Sequence, residues 1–150
     1  SAVTTGKLAA SAVTSEKCTA NWSITSIPAT TSAGSGVRTI TVAQVTIIGN
    51  SRPTLLVASC PMTINVTATT SGGTVSFCKG DTATSIANFT LESSGLTAPS
   101  NTGGFLSFVD TTGASGSTTY YIVINTTTNS SNVNYGPSFK DDSYFLVQEL

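Results

Sequence analysis

The chain has no histidine, and only 9% of its 150 residues are charged. Without histidine a Ser-His-Asp triad cannot form. The adjacent carboxylates Asp141 and Asp142 would point to opposite faces of a strand and could not share a substrate. The three cysteines form no CxxC or Cys/His cluster of the kind that binds zinc. The sequence therefore predicts a protein that is not an enzyme and that uses no metal and no cofactor.

Charge of either sign is also scarce, and the formal net charge is −1. Lysine and arginine are scattered singly, so no basic stripe exists to neutralise phosphates, which disfavours nucleic acid as a partner. The longest fully apolar stretches, such as Tyr120–Ile124, are far shorter than the ~20 residues of a membrane-spanning helix. We therefore expect neither a nucleic-acid partner nor a membrane span.

What the chain does contain is Ser and Thr, which make up 50 of the 150 residues. Polarity without charge is typical of a secreted surface or structural module. The chain starts at Ser1, as a mature product would after removal of a signal peptide, although a trimmed chain would start the same way. We therefore expect an extracellular protein.

Three cysteines in a secreted chain predict one disulfide and one leftover thiol. Cys60–Cys78 is the favoured pair because it closes the shortest loop, and Cys18–Cys78 is the alternative. The role of the third cysteine stays open.

Short β-branched and aromatic stretches, separated by Gly, Ser, Thr and Asn, recur along the chain without helical periodicity. Ser71-Gly72-Gly73 lies between two alternating arms and predicts a hairpin over 63–78. Spacing of this kind indicates an all-β fold, an antiparallel β-sandwich that is either immunoglobulin-like or a jelly roll. The predicted strands are 20–26, 37–48 (a central strand), 54–59, 63–70, 74–78, 86–91, 105–109, 118–125 and 143–148.

Residues 1–15 differ from the sandwich domain predicted for 16–150. They hold mostly small side chains and no aromatic residue or proline. They would form either a flexible tail or a donor strand that slots between two strands of another copy, where small side chains let the backbones approach. The donor residues would be Ala2, Thr4, Gly6, Leu8, Ala10 and Ala12 on one alternating face, with Val3 and Val13 beside them.

Five Asn-X-Ser/Thr sequons without proline make N-glycans an expected covalent partner. Nine asparagines in so Ser/Thr-rich a chain would give about three sequons by chance, so the excess is modest. The candidate asparagines are Asn21, Asn65, Asn88, Asn125 and Asn129.

The chain has four lysines, Lys7, Lys17, Lys79 and Lys140. In fibrous surface sandwiches a buried lysine sometimes forms an isopeptide bond with Asn or Asp, but we expect each lysine here to be solvated. The tripeptide Lys79-Gly80-Asp81 resembles an adhesion motif and is predicted to be a turn.

Taken together, the small-residue N-terminal segment, the Ser/Thr-rich sandwich, the sequons and the low charge resemble the thread-type filament subunits of thermoacidophilic archaea. The resemblance rests on composition and layout. It implies an extracellular, glycosylated homopolymer in which the N-terminal strand of one copy completes the sandwich of the next, for adhesion or contact between cells. Such a contact is head-to-tail and propagates.

Two other classes of protein fit the sequence. One is a viral coat or spike protein with a jelly-roll fold. The other is a secreted carbohydrate-binding module, which would present exposed, coplanar aromatic side chains. The candidate aromatic residues are Trp22, Tyr120, Tyr121, Tyr135 and Tyr144.

Overall fold

The computed structural model describes residues 21–66, 72–92, 100–101, 104–127, 130–137 and 142–150. These ranges are all-β, as expected for sequence rich in Val, Ile, Thr and aromatic residues. The strands are β1 (Trp22–Ser26), β2 (Thr30–Ser32), β3 (Thr39–Asn50), β4 (Thr54–Ser59), β5 (Met62–Val66), β6 (Gly72–Lys79), β7 (Ser85–Glu92), β8 (Ser100–Asn101), β9 (Phe105–Asp110), β10 (Ser115–Thr126), β11 (Ser130–Tyr135) and β12 (Tyr144–Glu149).

Two four-stranded antiparallel sheets have matching orders, β1-β12-β4-β9 and β2-β11-β5-β8. Each strand of one sheet is followed or preceded in the chain by its counterpart in the other. Backbone hydrogen bonds continue the pairing across the break, from Ile27 N to Ser143 O, from Gly136 N to Pro61 O and from Cys60 N to Gly104 O. The two sheets are therefore the upper and lower halves of one layer, which we call the front layer.

Proline helps to explain why the front layer breaks where it does. Pro28 lies between β1 and β2, Pro61 between β4 and β5, and Pro137 between β11 and β12. Proline cannot donate a ladder hydrogen bond, so it interrupts regular pairing at these positions. The breaks leave four long strand positions, β1/β2, β4/β5, β8/β9 and β11/β12.

The back layer is the sheet β3-β10-β6-β7. With the four long positions of the front layer it makes eight strand positions along the chain. Position one pairs with eight, two with seven, three with six and four with five. This nested pairing is that of a jelly roll. The predicted antiparallel β-sandwich is thus confirmed, and the topology is not immunoglobulin-like.

The core lies between the two layers. Phe145 of β12 stacks on Phe77 of β6 with ring centroids 5.7 Å apart, and Phe77 meets Phe89 of β7 edge-on at 5.6 Å. Both Phe77 and Phe145 are fully buried, as are Leu56 on β4 and Ile122 on β10. Burial of such side chains contributes about 1.5–3 kcal/mol each and holds the layers together.

Two predictions about individual strands are wrong. The hairpin over 63–78 does not form, because β5 pairs in the front layer and β6 in the back layer. The strand predicted over 37–48 as central is β3, at the edge of the back layer. One face of β3 is nevertheless buried through Val42, Val45 and Ile47. The predicted donor strand, residues 2–13, lies outside the described residues.

Candidate functional site

The outer face of the upper front layer is apolar across all four strands. Paired residues point to the same side, so the register fixes which side chains share this face. One row runs Trp22, Gln148, Leu55, Val109, and the next runs Ile24, Leu146, Val57, Ser107. A third row holds Ser26, Tyr144, Ser59 and Phe105. We call these residues the apolar face; none of them is charged.

Large apolar side chains on this face are open to solvent. Trp22 and Phe105 are each 61% exposed, and Ile24 is 50% exposed. Four strands about 4.8 Å apart, each of five or six residues rising about 3.3 Å, give a face of roughly 300 Å². The largest apolar patch on a typical monomer has about this extent and is often functional.

In strand β1 the large apolar side chains point towards solvent and not towards the core. Its outward residues are Trp22 and Ile24, whereas Ser23 and Thr25 share the inner side with Val147 and Phe145. A strand serving only the core of its own molecule would have the opposite pattern, with apolar residues inside. The outward side chains of β1 are therefore suited to contact another surface.

The other outer faces are polar, which makes the apolar face distinct. In the lower front layer, Thr31 and Thr63 flank Asn134, and Thr31 Oγ1 donates to Asn134 Oδ1 at 2.8 Å. On the back layer, Thr46 and Thr119 share a hydrogen bond at 2.8 Å. Both of these surfaces carry mostly polar side chains, with the exposed Ile48 at the edge of the back layer as an exception, and they suit contact with water.

A buried ion pair ties the two layers together at one end. Lys79 Nζ on β6 lies 2.8 Å from Asp110 Oδ2 on β9 and also donates to Thr112 Oγ1 and to the carbonyl of Gly113. Tyr120 OH on β10 donates to the same Asp110 oxygen at 2.9 Å. Burial alone would raise the pKa of Asp110, but these donors outweigh it and hold the pKa at about 2. Lys79, expected to be solvated, is only 22% exposed.

Tyr120 and Asp81, two titratable residues near this ion pair, have shifted pKa values. Burial and the hydrogen bond to Asp110 raise the pKa of Tyr120, so the phenol stays protonated as a donor. In the tripeptide Lys79-Gly80-Asp81, Lys79 ends β6, and Gly80 and Asp81 begin the turn towards β7. The Thr84 side chain, and then the backbone N–H groups of Thr84 and Ala83, donate to the Asp81 carboxylate, which lowers the pKa of Asp81.

Glu149 is a second buried carboxylate, with no exposed surface. Asn21 Nδ2 donates to Glu149 Oε2 at 2.9 Å, and the backbone N–H of Asn50 donates to Oε1 at 2.6 Å. Burial would raise the pKa of Glu149, but these donors lower it overall. The contact joins the start of β1 and the end of β3 to the end of β12.

The structure does not contain the predicted Cys60–Cys78 disulfide, because both residues are buried free thiols. Cys60 belongs to the core cluster between the layers. Cys78 pairs beside Tyr121 on the outer side of the back layer, and its Sγ contacts the carbonyl of Thr82 at 3.5 Å. The two thiols thus point into different surroundings, and loop length alone could not show this. Burial raises the pKa of both thiols.

The sequon asparagines fall in different environments. Asn21 precedes β1 and contacts Glu149, whereas Asn88 on β7 and Asn125 on β10 line one groove on the outer side of the back layer. Asn65 lies on β5. Asn129 lies outside the described residues.

The aromatic candidates do not form one coplanar platform. Tyr120 is fully buried, Tyr121 is on the back layer, and Tyr135 is on β11 of the lower front layer. Trp22 and Tyr144 share the apolar face, but they lie in its first and third rows on neighbouring strands. Tyr144 lies between Ser26 and Ser59, and Trp22 lies beside Gln148, so the two rings do not stand next to each other as a stacking surface for a sugar would require.

Within the described ranges, no group of three or more Cys, Asp or Glu residues could hold a metal ion. The same ranges contain no helix that is long and apolar enough to cross a membrane.

No protein-family model and no curated protein matches the chain. Among solved structures, it is similar to a chain in the structure of the infectious bursal disease virus Gx strain, with 13% identity and a TM-score of 0.46. It is also similar to a chain in the crystal structure of the infectious bursal disease virus VP2 subviral particle, with 12% identity and a TM-score of 0.44. Each match covers 85% of this chain and 32% of the viral chain, so the protein spans about a third of their length. Scores this low carry no argument, and the jelly-roll assignment rests on the strand pairing described above.

Proposed function

We propose that the protein is a structural jelly-roll subunit of a coat or spike, on the outside of a virus particle or cell, in which copies associate through the apolar face. The observation that carries this proposal is the uncharged outer face of β1-β12-β4-β9, with Trp22, Ile24 and Phe105 open to solvent. Leaving such a face in water is unfavourable, by roughly 25 cal/mol for each Å² of apolar surface.

The occupant of the face is a second copy of this chain. An uncharged sheet face suits contact with the same face of a second copy, because the two copies can pack without leaving any charge unpaired. Sheets pack face to face at about 10 Å with interdigitating side chains, and the alternation of Trp22 and Ile24 with smaller Ser26 allows this. Among the described residues, the outer faces of the lower front layer and the back layer offer no comparable surface.

A filament built by donor-strand complementation is less well supported by this geometry. That mechanism needs a sandwich that lacks a strand. In the part of the chain that the structure describes, all eight strand positions of the jelly roll are filled from one copy. The donor role of residues 2–13 therefore stays a prediction, and the apolar face is the better-founded contact.

The test introduces a charge on the apolar face. Ile24→Lys places an ammonium group at a half-exposed position, so the fold should remain while association is lost. Gln44→Lys is the matched control, because Gln44 is exposed on the outer side of the back layer. Multi-angle light scattering should show multimers for the wild type and Gln44→Lys and monomers for Ile24→Lys. A wild-type protein that stays monomeric at high concentration, or an Ile24→Lys protein that still associates, would contradict the proposal.

A further inference from the structure

We infer that the groove on the outer side of the back layer carries two N-linked glycans, on Asn88 and Asn125, and that the sequon at Asn21 carries none. This inference needs only passage through a secretory compartment and does not depend on how copies associate. It begins from a groove of about 850 Å³ whose lining is uncharged. The lining residues that matter are Thr39, Thr74, Ser76, Asn88, Thr90 and Asn125.

In both groove sequons the amide oxygen accepts hydrogen bonds, and the amide nitrogen donates none to the residues that the structure describes. Asn88 Oδ1 accepts from Ser76 Oγ and from Ser85 Oγ, each at 2.7 Å. Asn125 Oδ1 accepts from Thr39 Oγ1 at 2.9 Å. Because these donors fix the oxygen side of each amide, Nδ2 points away from them, and neither nitrogen donates to a described residue. The nitrogen is the atom that an N-glycan occupies.

The two sites are spaced to share the groove. Asn88 lies opposite Ser76, and Asn125 lies opposite Thr74 one row away on the same face. They are two strands and one row apart, or about 12 Å from strand spacing and rise. Two sugars can therefore start from one surface without colliding, over a floor of hydroxyl groups that can hydrogen-bond to them.

Asn21 has the opposite arrangement. Its Nδ2 donates to Glu149 Oε2, and Glu149 is fully buried. A sugar on that nitrogen would replace one of its two N–H groups and stand against the buried carboxylate, and loss of the hydrogen bond to Glu149 would cost on the order of 1–3 kcal/mol. The folded structure thus disfavours a glycan on Asn21.

The reaction needs an activated donor, a lipid-linked sugar diphosphate, and a transferase. The asparagine Nδ2 attacks the anomeric carbon of the sugar, and the bond between that carbon and the phosphate oxygen breaks. The electron pair leaves with the diphosphate, and Nδ2 loses one proton to a base of the transferase. The product is an N-glycosidic bond, and the asparagine oxygen keeps its hydrogen bonds.

The test is peptide-level mass spectrometry on the full chain secreted from eukaryotic cells behind a cleavable signal peptide. We expect sugar on Asn88 and on Asn125 and none on Asn21. Intact mass should fall by one glycan in Asn88→Gln and in Asn125→Gln and stay unchanged in Asn21→Gln. Thr90→Ala keeps Asn88 but removes its sequon, and it should lose the same glycan as Asn88→Gln. Sugar on Asn21, or a bare Asn88 or Asn125 in the secreted wild type, would overturn the inference. Light scattering on bacterially expressed, sugar-free protein tests association separately.

Discussion

At the scale of single residues, two buried carboxylates hold the jelly roll together, and each is matched by donors from other strands. Asp110 joins β9 to β6 and β10 through Lys79 and Tyr120. Glu149 joins the end of β12 to β1 and β3 through Asn21 and Asn50. Although the chain has few charged residues, two of them are buried and link different strands. Removing the donors of a buried carboxylate would leave its charge uncompensated and destabilise the fold.

The Asp110 pair makes stability depend on pH. The pKa falls from 3.8 to about 2 in the folded protein. A lowered folded-state pKa contributes stability above 3.8, and this contribution is lost as pH falls through 2. At 1.36 kcal/mol per unit the contribution is about 2 kcal/mol at pH 7. Asp110→Asn should therefore be less stable than wild type by about that amount at pH 7, as measured by urea unfolding, and the gap should shrink towards pH 2. A gap that does not change with pH would contradict this reading.

Asn21 should stabilise the fold through Glu149. Asn21→Ala removes a donor from a carboxylate with no exposed surface, which should cost about 1–3 kcal/mol of unfolding free energy. Asn134→Ala is the control, because Asn134 accepts a hydrogen bond from Thr31 at the surface. That control should cost less than about 0.5 kcal/mol. Equal losses of unfolding free energy in the two variants, measured by chemical unfolding, would show that the hydrogen bond from Asn21 to Glu149 contributes no more than a surface hydrogen bond.

At the scale of elements, the sequence predicted the long strands of the front layer better than the short ones. The sequence could not reveal β2 (Thr30–Ser32) or β8 (Ser100–Asn101), because such short polar segments carry no alternation of apolar residues. By contrast, β4 has the predicted bounds, since its apolar run from Leu55 to Ala58 is bounded by Thr54 and Ser59. The strands β2 and β8 form because they pair with β11 and β5, and not because of the β-propensity of their own residues.

Gly136 tests the break directly. Its φ is +104°, and an added Cβ would lie 2.4 Å from the carbonyl oxygen of Pro28. Gly136→Ala should therefore lower the unfolding temperature markedly, through both backbone strain and collision. Gly36→Ala is the control, since Gly36 has φ +87° but nothing within 4 Å of an added Cβ. Because both glycines have a positive φ, the extra loss of unfolding temperature in Gly136→Ala reports mainly the collision. If the two variants have the same unfolding temperature, the close approach of Pro28 to Gly136 does not limit which residue can stand at position 136.

At the scale of the whole molecule, the apolar face is what the sequence could not show. Trp22 and Val109 are far apart in the chain and share a face only because β12 and β4 lie between β1 and β9. The composition correctly indicated a β-sandwich, since β-branched residues recur throughout. The choice of a jelly roll, the separation of Cys60 from Cys78 and the contact of Asn21 with Glu149 all depend on pairing between distant strands.

The N-terminal segment separates the coat proposal from the filament prediction. All residues of the apolar face follow Asn21, so a chain that lacks residues 1–13 should still associate. A donor strand in that segment would make the truncated chain monomeric and less stable, and added peptide of the same sequence would restore stability. Light scattering and thermal unfolding of the truncated chain distinguish these outcomes, with Leu8→Asp as a point variant.

The central claim is that copies meet through the outer face of β1-β12-β4-β9. Electron cryomicroscopy of the assembled protein tests this most directly, because it locates every contact between copies. We expect face-to-face dimers, free or as the building blocks of a shell or spike, in which Trp22, Ile24 and Phe105 are buried against the neighbouring copy. An assembly in which these side chains face solvent while copies touch elsewhere, or filaments joined by inserted N-terminal strands, would contradict the account.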